Sequence, residues 1–180
     1  MHINIIEADV SYAADIASIG KKSFRQTFEH LFKSKEELFE YLEHTYDPLK
    51  LTKSLRKENN IYLLAFADEQ PVGFAKIKKH SLNDQIESGA QMELQKIYVL
   101  PEWHGYGIGT SLLKEVRGIA REIYPDYLWL DTHVSNETAI RLYEANGYKK
   151  MGTYSYTIGT QTFDYYLMGL PVAFKVTTAC

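Results

Sequence analysis

Apolar positions along the chain change their period several times, and each change marks an element. Residues 3–8 (Ile3-Asn4-Ile5-Ile6-Glu7-Ala8) are few and rich in β-branched types, and read as a strand. Residues 9 to about 29 read as helical, with Ile16, Ile19 and Phe24 as expected core positions. Ser34 followed by Glu37 fits a capping box, opening a second helix through about Tyr46 with Leu38, Tyr41, Leu42 and Thr45/Tyr46 at helical spacing. Asp47-Pro48 restarts the chain, and Leu51 and Leu55 suggest a further short helix. The texture then turns to strand. Residues 61–67 form a buried-strand run, 68–71 a turn, and 72–77 a second strand, so the pair reads as a hairpin. Residues 80–89 are polar and read as a loop, and 92–100 form a third, partly alternating strand.

A strong amphipathic helix follows, with Ile108, Leu112, Val116, Ile119 and Ile123 on one stripe and Leu113 and Ala120 beside it. Pro125-Asp126 ends it, and residues 127–132 read as a strand. Asn136 opens a helix through Ala139, Leu142 and Tyr143, which Asn146-Gly147 stops. Two last strands, 148–158 and 162–168, join at Gly159-Thr160. This order predicts one α/β (α+β) domain over residues 1–170, with a mixed, mostly antiparallel twisted sheet of about seven strands flanked by helices. The third strand, the helix after it and the Tyr127 strand form one crossover, expected to be right-handed. Residues 171–180 make a tail with strand-like Val172, Phe174 and Val176 and no assignable role.

Composition narrows the function. A length of 180 residues is one domain's worth, and 45% hydrophobic with 24% charged residues excludes long disorder and a membrane bundle. Twenty basic and 23 acidic residues give a net charge of −3, with no basic footprint for nucleic acid. The single cysteine, Cys180, offers neither a disulfide framework nor a zinc site, and the lone histidines show no metal-ligand spacing. No signal peptide and no membrane-length apolar run is visible, so a cytoplasmic location is expected.

Gly105, Gly107 and Gly109 stand at every second position between a strand and a helix. Glycine permits unusual torsions and close approach, and a helix start offers unpaired N–H groups and partial positive charge. Together these make a cradle for a pyrophosphate. The Gly-Lys-Ser/Thr ending of a P-loop is missing. A dinucleotide fingerprint fits Gly105 and Gly107, with Asp131 at a suitable distance, but Thr110 takes the third glycine's place and the hairpins do not suit repeated βα units.

The run His104-Gly105-Tyr106-Gly107-Ile108-Gly109 resembles the acetyl-CoA pyrophosphate signature of the GNAT superfamily of N-acetyltransferases, Q/R-x-x-G-x-G/A, with His104 departing from the usual Gln or Arg. Residues 136–148, with Asn136, Ala139, Tyr143, Gly147 and Tyr148, are similar to the second signature, N-x-x-A-x-x-x-Y-x-x-x-G-F/Y. The resemblance covers residues 60–168. Segments at 23–28, 41–43 and 93–99 look like the PaiA-type branch, which acetylates polyamines such as spermidine and spermine.

The resemblance implies acetyl-CoA as co-substrate and direct transfer of acetyl to a primary amine in a ternary complex. It implies that the β-strand at Ile97, Tyr98 and Val99 receives the pantetheine arm. It also implies that the backbone from Gly105 through Tyr106, Gly107, Ile108 and Gly109 to Thr110 holds the pyrophosphate, and that Asn136 contacts the arm. Tyr143 is the expected acid for the departing thiolate, since a phenol is neutral at pH 7 and can donate. Glu93 is the candidate base for an amine of pKa about 10; its spacing of six residues from Val99 predicts that both face the same side. Phe24 and Phe28 are candidate acceptor-pocket residues. Residues 36–47 carry five acids and no Lys or Arg, a surface that a polycation could use. Two other classes stay open: a non-catalytic acetyl-CoA-sensing module, and a nicotinamide-dependent oxidoreductase. A homodimer through an edge strand or the tail is also left open.

Overall fold

The computed structural model describes residues 1–172. After strand β1 (Ile3–Glu7), Asp9 accepts a hydrogen bond from the Ser11 N–H at 2.8 Å, and the short 3-10 turn so capped leads into α1 (Ala13–Phe28). Ser34 Oγ accepts from the Glu37 N–H at 3.1 Å and opens α2 (Lys35–Thr45). Only this half of the expected capping box forms. The Glu37 carboxylate instead reaches across the molecule and accepts from Thr160 N–H at 3.1 Å and Thr160 Oγ1 at 2.8 Å. Asp47 caps α3 (Pro48–Leu55), with proline at a first-turn position where no N–H is missed. A Cβ at Gly20 of α1 would overlap the Tyr46 ring, so glycine there lets α2 close on α1.

The remaining elements are β2 (Asn60–Ala67), β3 (Gln70–Lys78), β4 (Gln91–Val99), α4 (Ile108–Ile123), β5 (Tyr127–His133), α5 (Glu137–Ala145), β6 (Lys149–Ile158) and β7 (Gln161–Pro171). They form one seven-stranded sheet in the order β1-β2-β3-β4-β5-β7-β6. Every neighbouring pair is antiparallel except β4 and β5, the parallel pair that α4 connects. β7 runs further than the sequence suggests: Pro171 pairs with Tyr127, and the Val172 N–H bonds Asp126 O at 2.9 Å. The start of the expected tail therefore belongs to the sheet. Phe174, Val176 and Cys180 lie outside the described residues.

Both faces of the sheet are covered. Leu63, Ile77, Met92 and Leu94 pack beneath Leu112, Leu113 and Val116 of α4. On the opposite face Leu64 and Phe74 meet Ile16 of α1, Leu42 of α2 and Tyr46 in the turn between α2 and α3. Central strands buried on two faces read as continuous apolar runs, which is the pattern of residues 61–67. The α4 stripe is turned slightly from the expected one: Leu113 and Ala120 are fully buried, while Ile119 and Ile123 are half-buried.

One irregularity shapes the site. Lys76 pairs with Lys96, yet Ile77 pairs with Leu94, so Gln95 is an extra residue in β4. Such a bulge reverses the side-chain alternation beyond it. Met92 and Leu94 before it, and Ile97 and Val99 after it, pack toward α4, whereas Lys96 and Tyr98 point to the α1–α2 side. Glu93 lines the same cavity as Lys96. The expectation that Glu93 and Val99 share a face is thus corrected, because a six-residue spacing keeps its parity only in an unbroken strand.

Candidate active site

β4 and β5 share a ladder only at Gln91–Tyr127, Met92–Leu128 and Glu93–Trp129. Beyond Glu93 the two strands part, while β5 stays held by β7 through His133–Tyr165. The result is a wedge open along one edge of β4. The Leu100 N–H bonds Val72 O at 2.8 Å and so points toward β3. Backbone alternation then turns the N–H and C=O of Val99 and Ile97 into the wedge and those of Tyr98 toward β3. His104 Nε2 donates to the Val99 carbonyl at 2.9 Å, so the histidine at the head of the glycine loop ties that loop to the strand.

A cleft of about 500 Å³ runs from the wedge to the start of α4. Gly105 (φ 84°) and Gly107 (φ 78°) are left-handed, a conformation that disfavours side chains, and nothing crowds either Cα. Gly109 serves packing: a Cβ there would lie 3.2 Å from Leu142 Cδ2 of α5. No side chain caps α4, and its first internal bond runs from the Ser111 N–H to Gly107 O at 2.9 Å. The amides of Ile108, Gly109 and Thr110 thus face the cleft end without helical partners. The Ile108 side chain is buried in the core, and the Tyr106 ring is exposed, 5.8 Å from Trp103 and outside the cleft lining.

A second cavity, about 510 Å³, lies on the α1–α3 side of the wedge. Phe28, Ile97, Tyr98, Asn136 and Tyr143 line both spaces and mark their junction. Tyr143 projects from α5 and is 6% exposed. Burial, with the charge of Asp131 adding, holds its phenol protonated well above the usual tyrosine range. Asn136 caps α5, its Oδ1 accepting from the Ala139 N–H at 3.3 Å, which leaves its amide nitrogen for another partner. Phe24 and Phe28 meet at a tilt of 53° with ring centroids 4.8 Å apart, and both line the second cavity although Phe24 also belongs to the core.

Glu93 is buried on the wall of this cavity. Its Oε2 accepts from Ser81 Oγ at 2.7 Å and lies 3.3 Å from Lys78 Nζ. Asp131, across the wedge on β5, accepts from the Tyr154 hydroxyl. Burial raises its carboxyl above the ordinary range, opposed by that hydrogen bond, and the Glu93 charge raises it further. Lys76 and Lys96 face the same space, each pulled down to about 8, chiefly by burial. Sequence reasoning missed Asp131, Lys76 and Lys96 as site residues. The available signal was an ionisable side chain ending or interrupting an apolar strand run, as in Leu128-Trp129-Leu130-Asp131.

The acid-rich segment does structural work. Glu36 and Glu37 sit at the start of α2, Glu43 pairs with Lys21 at 2.8 Å, and Asp47 caps α3. From α2 only Tyr41 and Thr45 reach the cavity, so the acids do not form its wall. No helix among the described residues is long and apolar enough to cross a membrane.

Residues 24–148 match the acetyltransferase (GNAT) family. An aminoglycoside N(6')-acetyltransferase type 1 of Stenotrophomonas maltophilia is 34% identical over 107 residues, 58% of this chain and 70% of that protein. A spermidine N(1)-acetyltransferase of Thermoplasma acidophilum is 25% identical over 83% of this chain and 89% of its own. The crystal structure of the PaiA N-acetyltransferase from Thermoplasma acidophilum in complex with coenzyme A has the same fold, with a TM-score of 0.77 at 22% identity, covering 95% of this chain and 99% of that one. With the family matched over more than half its length, this chain belongs to the GNAT family of acetyltransferases, whose co-substrate is acetyl-CoA.

Proposed function

We propose that the protein transfers acetyl from acetyl-CoA to a primary amine, directly and within a ternary complex. The observation that carries this reading is the junction: a cleft floored by uncapped amides meets a cavity holding two carboxylates, with Tyr143 between them. The cleft suits the donor in three places. The first-turn amides of α4, with Gly105 and Gly107, match a diphosphate, and Asn136 reaches the arm. The open edge of β4 at Ile97 and Val99 matches an extended amide-bearing arm, with the Val99 carbonyl already engaged by His104 and its N–H left free.

Bound acetyl-CoA supplies an activated acetyl thioester. Glu93 takes a proton from the incoming ammonium, directly or through water, so that the amine presents a lone pair. The wedge lines that lone pair up with the carbonyl carbon. As the new C–N bond forms and the C–S bond breaks, the Tyr143 hydroxyl gives its proton to the departing sulfur, and the second proton, shed by the nitrogen as it becomes an amide, restores the phenol directly or through water. A phenol held protonated by burial suits that donation.

For the acceptor, a polyamine such as spermidine is a second, finer reading. It is favoured by the likeness to the Thermoplasma spermidine acetyltransferase and by Glu93 and Asp131 in the cavity. A thiol-release assay with acetyl-CoA across an amine panel that includes spermidine tests both. Turnover is expected with at least one primary amine. Tight acetyl-CoA binding without turnover on any amine would favour the sensing module instead.

A further inference from the structure

Lys76 and Lys96 stand directly opposite one another on β3 and β4. Like charges at such a cross-strand position repel, so an unmodified fold has reason to avoid them. Here both are half-buried and both face the second cavity. Neither makes an ion pair within 4.0 Å among the described residues. Their nearest compensation is aromatic: Lys76 Nζ lies 5.6 Å from the Tyr62 ring centroid and Lys96 Nζ 5.3 Å from that of Tyr46. The two carboxylates of the cavity are engaged elsewhere, Asp131 by Tyr154 and Glu93 by Ser81 and Lys78. Beside Lys76, the Tyr62 hydroxyl and Ser54 Oγ share a hydrogen bond of 2.8 Å, and Lys50 adds a third ammonium from α3. The cavity therefore carries both signs of charge, the carboxylates of Glu93 and Asp131 and the ammonium groups of Lys76, Lys96 and Lys50, the last held 2.8 Å from His44 Nε2.

We propose that the Lys76–Lys96 pair is an anion subsite, so that the acceptor is a primary amine carrying a carboxylate or phosphate monoester at its far end. The inference rests on the acetyl-transfer reading and decides the acceptor against a polycation, whose distal ammonium would meet these lysines. An anion seated between the pair would offset their repulsion, so the site suits one. Burial has already weakened the hold of both lysines on their protons, and the charges of Asp131 and Glu93 offset this only in part.

Four five-carbon amines differing only at the far end test it: pentylamine, 5-aminopentanoate, 5-aminopentyl phosphate and cadaverine. In the thiol-release assay, kcat/KM for one of the two anionic amines should exceed that for pentylamine roughly tenfold or more, and cadaverine should be the poorest. Which anion wins identifies the group. Lys96→Gln and Lys76→Gln should each collapse the ratio toward one. Calorimetric titration of the same amines into the protein–coenzyme A complex reads the subsite without turnover. Anion-selective binding with no thiol release would sink the acetyl-transfer reading alone. Equal binding, no binding of the anionic members, or preference for cadaverine would overturn the subsite alone. Both variants should also melt at a higher temperature than the parent at pH 7, since each removes a repulsion. A lower melting temperature in both would make the pair a structural element and overturn the proposal.

Discussion

The two chambers that meet at Tyr143 are built on different principles. The donor cleft presents main chain at its key points: two left-handed glycines, uncapped first-turn amides of α4, and the open edge of β4. The acceptor cavity is made of side chains drawn from the helices α1 to α3 and from strands on both sides of the wedge. A ligand gripped by backbone constrains the sequence to glycine at fixed spacing. A ligand gripped by side chains leaves scattered residues whose meeting is settled only by the fold. The first kind of site keeps its chemistry across a family; the second can differ between relatives, as an aminoglycoside and a spermidine acetyltransferase among the matches illustrate.

Breaking the donor side should have the largest effect. Gly107→Val forces a β-branched residue to φ near +78°, where left-handed backbone costs on the order of 1–2 kcal/mol even before Cβ meets a ligand. Acetyl-CoA affinity measured by calorimetry should fall by about 100-fold or more, with the far-ultraviolet spectrum retained. Next, Tyr143→Phe should lower kcat by roughly 100-fold or more while the acetyl-CoA dissociation constant stays within about twofold. Unchanged turnover would remove Tyr143 from its role as acid. On the acceptor side, Glu93→Gln should lower kcat at pH 7 by about tenfold to 100-fold. The deficit should narrow at higher pH as unassisted free amine becomes abundant. The same behaviour in Asp131→Asn, and not in Glu93→Gln, would move the base across the wedge.

A smaller effect concerns stability. Lys76 and Lys96 hold protons less tightly in the folded chain, about 8 against an ordinary 10.5. Below pH 8 both folded and unfolded forms are protonated, and the full cost of the confined charge is present. As pH rises from 8 toward 10.5, the folded form releases its protons first and that cost is relieved. Denaturant titrations should therefore show the parent gaining stability relative to Lys96→Gln across this window. A pH-independent difference would count against the burial of charge. The smallest effect lies away from both chambers: Gly118→Ala in α4 meets nothing within 4 Å and should stabilise by about 0.5–1 kcal/mol without altering turnover.

The element order and the donor-side landmarks were legible because they depend on local rules. Asn136 and Gly147 punctuate α5, Gly107 opens α4, and Pro125-Asp126 with a change of apolar period separates α4 from β5. What could not be read was set by distant partners. Glu37 satisfies the sequence rule for a reciprocal cap, yet its carboxylate is taken by Thr160, 123 positions away. Lys76 and Lys96 read as ordinary outward strand lysines until the sheet brings them opposite each other beneath helices. Parity failed at Glu93 for a related reason: nothing in residues 93–99 announces that Gln95 stands outside the ladder.

That one unpaired residue has a consequence for redesign. The ladder sets Leu94 opposite Ile77 and Lys96 opposite Lys76, so facing runs on unbroken across Gln95 while the count along the sequence shifts by one. Deleting Gln95 should leave Lys96 and Tyr98 turned to the acceptor chamber and Ile97 toward α4, since Lys96 would then follow Leu94 directly and alternate with it. Grafting this chamber onto a cousin sheet can omit the supernumerary glutamine, whereas removing a paired residue of β4 would flip every side chain beyond it.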